Sequence, residues 1–146
     1  FFFKQKTAYE IRNCDWSSDV CSSDLDYLAE LQAGVALHEL DVDVAKLREL
    51  PGRGVIVTSP GPHNGPPGTD FASRFFAPRV GVDEDPVTGS AHTSLGPYWA
   101  ERLGKKSLMG FQASRRGGVV GVTVGEQRVQ LAGQVRLVMR GRCLLS

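Results

Sequence analysis

The stretch EDPVTGSAHTSLGPYWAERLGKK, Glu84–Lys106, decides how the rest of the chain is read. From Ala91 onward, Ala91, Leu95, Trp99 and Leu103 recur every four residues and form one apolar stripe on a helix. Gly104 with Lys105 and Lys106 behind it is a C-terminal stop. Gly96-Pro97 interrupts the pattern, and Pro97, which cannot donate to the Thr93 carbonyl, predicts a kink. Upstream, Pro86 disfavours helical geometry at Asp85 and holds that residue extended just ahead of the helix.

The entry to this helix is where chemistry is expected. Thr88 or Ser90 can cap it, leaving backbone N–H groups of Gly89, Ser90 and Ala91 pointing outward. Gly89 lets a ligand approach without a Cβ in the way. The pattern therefore predicts an anion site at a helix N-terminus, with the Asp85 carboxylate beside it. A plainer alternative stays open, in which Asp85 only complements the helix macrodipole. Asp-Pro-x-Thr-Gly is not by itself a reaction signature.

Outward from this core the segments are short and mostly strand-like. TDFASRFFAP (69–78) alternates Phe71, Ser73 and Phe75 against Ala72, Arg74 and Phe76. RGVIVTS (53–59) is a buried strand by its β-branched run. DYLAELQ (26–32) and VALHELDV (35–42), with Gly34 between them, read as antiparallel neighbours. DVAKLREL (43–50) is a short helix with Asp43 as N-cap and Pro51-Gly52 as its stop. SPGPHNGPPG (59–68) is a loop, and its His63 is assigned no role. SLMGFQAS (107–114), GVVGVTVG (118–125) and QRVQLAGQVRLVMRGRCLLS (127–146) continue as strands. The expected class is α+β, with six to eight mostly antiparallel strands and one principal helix apolar enough to be wrapped by the sheet.

At 146 residues, with 41% hydrophobic and 23% charged residues and a net charge of +1, the chain is at most one ordinary soluble domain. No run approaches a membrane span. The even charge and the lone SRRGG pair give no footprint for nucleic acid or a membrane. Cys14 and Cys21 lack the spacing and the second pair of a zinc site, so no metal is expected. Cys143 reads as a small strand residue, and this cysteine usage agrees with a cytoplasmic location.

The opening FFFKQKTAYEIRNCDWSSDVCSSDL (1–25) has no sustained periodicity and is similar to translated sequencing-adapter read-through. Residues 1–25 are therefore expected to be non-native and disordered, and 26–146 to be the domain. DFASRFFAP, GVDEDPVTGSAHTSLGPYWAERLGK, FQASRRGG and QRVQLAGQVRLVMRG closely resemble the C-terminal half of the PhzF-like phenazine-biosynthesis family. The resemblance runs from about Asp26 to Arg142. It implies one half of a diaminopimelate epimerase-like fold, a curled sheet around a central helix. It also implies a cofactor-independent isomerase or epimerase that moves a proton on a small carboxylate-bearing substrate, in a parent protein that is a homodimer.

By the same resemblance Asp85 is the catalytic aspartate, and Gly89, Ser90 and His92 form the substrate-binding group. His92 stands one turn into the helix, where packing or a local hydrogen bond suits it better. Arg74, Ser114 and Arg116 fall in matching motifs, Arg116 as a solvated turn residue by default. The family's acid/base glutamate lies in its N-terminal half, and no such motif occurs here. The fragment alone is thus expected to be inactive, and a non-catalytic small-anion-binding module is the alternative.

Overall fold

The computed structural model describes Val20–Ser22 and residues 26–142. Seven strands follow one another across a single sheet in chain order. They are β1 (Val20–Ser22), β2 (Asp26–Glu30), β3 (Gly54–Pro60), β4 (Phe71–Phe76), β5 (Ser107–Gln112), β6 (Gly118–Val124) and β7 (Val129–Ala132). Among the described residues two α-helices accompany them, α1 (Val44–Glu49) and α2 (Gly89–Leu103). The class is α+β and the sheet is mostly antiparallel, with only β2–β3 and β4–β5 parallel. The opening segment, expected to be disordered, supplies β1, which pairs with β2; the rest of it lies outside the described residues.

Parallel neighbours cannot be joined by a hairpin and need a crossover. The two crossovers cover opposite faces of the sheet. The first, between β2 and β3, carries a 3-10 turn (Leu37–Glu39) and α1 over one face. There Leu37 packs with Val55, Val57, Ala72 and Phe76. The second, between β4 and β5, carries α2 over the other face. Leu28, Ile56, Phe71, Leu108, Val122 and Val129, one residue or more from each of β2 to β7, share a single core with Ala91, Leu95 and Trp99 of α2. The alternation expected for β4 holds, since Phe71 and Phe75 join the α2 core while Ala72 and Phe76 join the other.

α1 forms as expected, and the Asp43 side chain accepts from the Lys46 N–H at 3.2 Å. α2 runs continuously through the buried Pro97 and ends at Gly104, whose φ of 63° suits glycine. Gly96 allows α2 to lie close on β6, since a Cβ there would sit 2.7 Å from Val122 Cγ1. The apolar stripe is shorter than expected: Ala91, Leu95 and Trp99 are buried, but Leu103 lies in an exposed last turn.

Two expected strands are corrected. Residues 35–42 are not a strand, and β2 pairs with β3 instead. Local turn bonds satisfy some of their backbone groups, and side chains from far along the chain satisfy others. Asn64 Oδ1 accepts from the Leu37 N–H, Asn64 Nδ2 donates to the Val35 carbonyl, and Arg74 Nη1 donates to the carbonyls of Leu37 and Leu40. With a non-ladder route available, burial of Leu37 fixes the path. The last strand also stops early, at Ala132. From Gly133 to Arg142 the apolar alternation persists, but no described strand pairs with it, and Val135 and Val138 are 95% and 89% exposed. Cys143 lies outside the described residues.

Candidate active site

Asp85 sits on a loop between β4 and α2 that is pinned at several points. Glu84 is held by Arg74 in a two-point ion pair, Nε to Oε1 at 2.7 Å and Nη2 to Oε2 at 3.1 Å. The Asp85 N–H donates to the Phe75 carbonyl at 3.0 Å. Gln112 Nε2 donates to the Asp85 carbonyl at 2.6 Å, and Gln112 Oε1 accepts from the Thr88 N–H at 2.7 Å. Ser114 Oγ donates to the Pro86 carbonyl at 2.7 Å. A loop satisfied in this way holds its side chains in place without being a regular element.

Thr88 is the N-cap residue of α2, but its side chain does not cap. Its hydroxyl donates to Asp85 Oδ2 at 2.6 Å and accepts from Gln112 Nε2 at 3.2 Å. The Ser90 hydroxyl does not cap either; its Oγ accepts from Arg53 Nη2 at 3.0 Å. The first N–H groups of α2 have no intrahelical acceptor by the geometry of any helix. Here both hydroxyls that could serve them are bonded elsewhere. The half-buried Asp85 carboxylate and the N-terminus of α2, carrying Gly89 and Ser90, thus share one corner. This arrangement disfavours the plain capped helix and suits an anion.

His92 stands apart from that corner. It is fully buried, beside Phe71 at 5.9 Å between ring centroids. Nδ1 lies 2.7 Å from the Thr88 carbonyl oxygen, which as an acceptor puts the ring proton on Nδ1. Nε2 is buried with no hydrogen-bond partner. Burial lowers the pKa of His92, opposed in part by the bond to the Thr88 carbonyl, so the ring is neutral near pH 7. With no exposed surface, His92 braces Thr88 from below and does not face the solvent side of the corner.

Arg74 belongs to the frame, spent on Glu84 and on the 37–40 segment. Ser114 staples the loop and also accepts from the Gly117 N–H at 3.2 Å. Arg115 and Arg116 are exposed and line an open cleft of about 330 Å³ with Glu84, Pro86 and Ser114. His63 is exposed, in a 3-10 turn away from these residues. Three residues of the site escape sequence reasoning: Arg53, its partner Asp26, and Gln112. Gln112 had a signal, because Leu108, Gly110 and Gln112 alternate on the inward face of β5 and a polar residue there must find partners. Arg53 and Asp26 had none.

Residues 15–141 match the family model described as phenazine biosynthesis-like protein, PhzC-PhzF. The chain belongs to the PhzC-PhzF family. It is 50% identical over 128 residues to an uncharacterized isomerase of Pseudomonas aeruginosa, covering 88% of this chain and 47% of that protein. It is 46% identical over 120 residues to an uncharacterized isomerase of Halalkalibacterium halodurans, covering 82% and 44%. Among solved structures it is similar to a phenazine biosynthesis PhzF family protein of Enterococcus faecalis, with a TM-score of 0.75 and 32% identity over 97% of this chain and 54% of that one. The chain spans about half the length of the curated relatives it matches.

Proposed function

We propose that this chain carries one wall of a cofactor-independent isomerase or epimerase site, in which a proton moves on a small carboxylate-bearing substrate. The observation that supports this most is the diversion of both candidate capping hydroxyls, Thr88 to Asp85 and Ser90 to Arg53. The substrate carboxylate sits on the uncapped N–H groups at Gly89 and Ser90. When the proton leaves the adjacent carbon, negative charge grows on that carboxylate, where fixed N–H dipoles meet it without reorganisation. Asp85, a hydrogen bond from Thr88 and a pinned loop away, hydrogen-bonds or relays the proton.

A second acid/base group must face the substrate from elsewhere, and the length of the relatives supports a second half that supplies it. In this reading the sheet curls around α2 as one half of a diaminopimelate epimerase-like fold, and the whole protein is a homodimer. In this reading this chain alone does not turn over. His92 acts through Thr88 and not by touching substrate.

The test is solvent exchange. The chain alone, and the chain joined to the N-terminal half of the Pseudomonas relative, are incubated in D2O with a panel of small carboxylic acids. Deuterium at the carbon next to a carboxylate, from the joined protein only and lost in Asp85→Ala, is the expected result. Exchange by the chain alone contradicts the half-site reading. Saturable binding with no exchange from either protein supports the small-anion-binding alternative instead.

A further inference from the structure

We propose that Arg53 is a positioning residue of this corner, holding Ser90 Oγ as an acceptor so that the Ser90 O–H is left to donate to the bound carboxylate. This rests on the reading of the α2 N-terminus as a carboxylate site. Three parts of the chain that are distant in sequence meet here: Asp26 opens β2, Arg53 precedes β3, and Ser90 lies in the first turn of α2.

A guanidinium only donates, so the direction of the Arg53–Ser90 bond is settled by chemistry. The Ser90 proton must then point away from Arg53. The Ser90 carbonyl is fixed separately, accepting from Thr93 Oγ1 at 2.6 Å.

Arg53 itself cannot swing freely. Its Nε donates to Asp26 Oδ1 at 2.9 Å and its Nη2 to Asp26 Oδ2, with the Phe75 ring 5.6 Å from the guanidinium carbon. Asp26 is buried while Arg53 is partly exposed. Asp26 neutralises Arg53 at this helix N-terminus, where an unpaired cation would have the wrong sign for the macrodipole. Nε and Nη2 of Arg53 are committed to Asp26 and Ser90, and the proposed effect of Arg53 on the ligand runs through Ser90.

The test is an acetate titration at constant ionic strength, followed by the backbone amides of Gly89 and Ser90 and by the Arg53 Nε–H signal. Wild type, Arg53→Met, Ser90→Ala and the double variant are compared. Each single change should weaken acetate binding by on the order of tenfold, and the double should be no weaker than Ser90→Ala to within about twofold. In wild type the Arg53 Nε–H should move with the same dissociation constant as the Gly89 amide, and in Ser90→Ala it should not move.

Unchanged affinity in Arg53→Met overturns the proposal. So does an equal loss from Arg53→Met in both backgrounds, which means direct contact or bulk charge. No saturable response in wild type overturns the carboxylate site itself, and Arg53's role with it. If Arg53→Met loses its dispersed spectrum through the unpaired Asp26, the Asp26→Asn/Arg53→Met pair, which removes both charges, carries the same comparison.

Discussion

Thr88 Oγ1 donates to Asp85 Oδ2 at 2.6 Å, across a proline and in place of capping the helix that Thr88 opens. The bond ties the orientation of the carboxylate to the start of α2. Thr88→Val keeps the shape but removes the donor to Asp85 and the acceptor for Gln112. Because Thr88 is buried, the loss should be about 1–3 kcal/mol in urea unfolding, whereas Thr88→Ser, which keeps the hydroxyl, should lose less. Equal losses for both would mean that the methyl group matters and the hydroxyl bond does not.

Gln112 is the hidden support of the loop. Replacing it with Leu, of similar size, leaves the Asp85 carbonyl and the Thr88 N–H without their partners. One buried and one partly buried polar group left unsatisfied should cost about 2–4 kcal/mol, and the Thr88 amide should exchange with solvent much faster than in wild type. A stability loss below about 1 kcal/mol with unchanged exchange would show that water or another group takes over.

His92 makes stability depend on pH. Its pKa in the folded chain is lowered from 6.5 by burial. As pH falls through 6.5, the unfolded chain takes up a proton that the folded chain refuses, so stability falls with falling pH. The loss is at most about 1.4 kcal/mol per pH unit and ends once the folded pKa is passed. Between pH 7.5 and 5.5, wild type should lose about 1 kcal/mol more in denaturant unfolding than His92→Asn. Parallel pH profiles would remove His92 as the cause.

Gly96 sets helix propensity against packing. An alanine in a helix interior is favoured over glycine by about 1 kcal/mol. At Gly96, however, the new Cβ would sit 2.7 Å from Val122 Cγ1 and 3.3 Å from Val129 Cγ1, on rigid β-branched neighbours. Overpacking of about 1–3 kcal/mol should win. Gly96→Ala should therefore lower the melting temperature, and a rise would mean that α2 does not lie so close to the sheet.

Local periodicity made part of this structure legible. The two faces of β4 and the Ala91–Leu95–Trp99 stripe could be read because each repeat reports one packed face. Residues 35–42 have the same alternation and form no strand, because the partners of their backbone, Asn64 and Arg74, lie far along the chain. Residues 133–142 show that alternation makes a strand only where a neighbour completes the ladder. At the candidate site, Asp85, Gly89 and Ser90 lie in one contiguous motif and share one corner of the structure. Arg53 could not be read from that motif, since its contact with Ser90 exists only after β3 and α2 pack together. His92 shares the motif, yet its position one turn in takes it beneath the corner, away from the surface.

The most direct test of the corner is the acetate titration read residue by residue in the wild-type chain. The amides of Gly89 and Ser90 should shift and saturate with one dissociation constant. The Lys46 amide of α1, already served by Asp43, should not respond. Equal or unsaturable shifts at both helix starts would contradict the existence of a built carboxylate site beside Asp85.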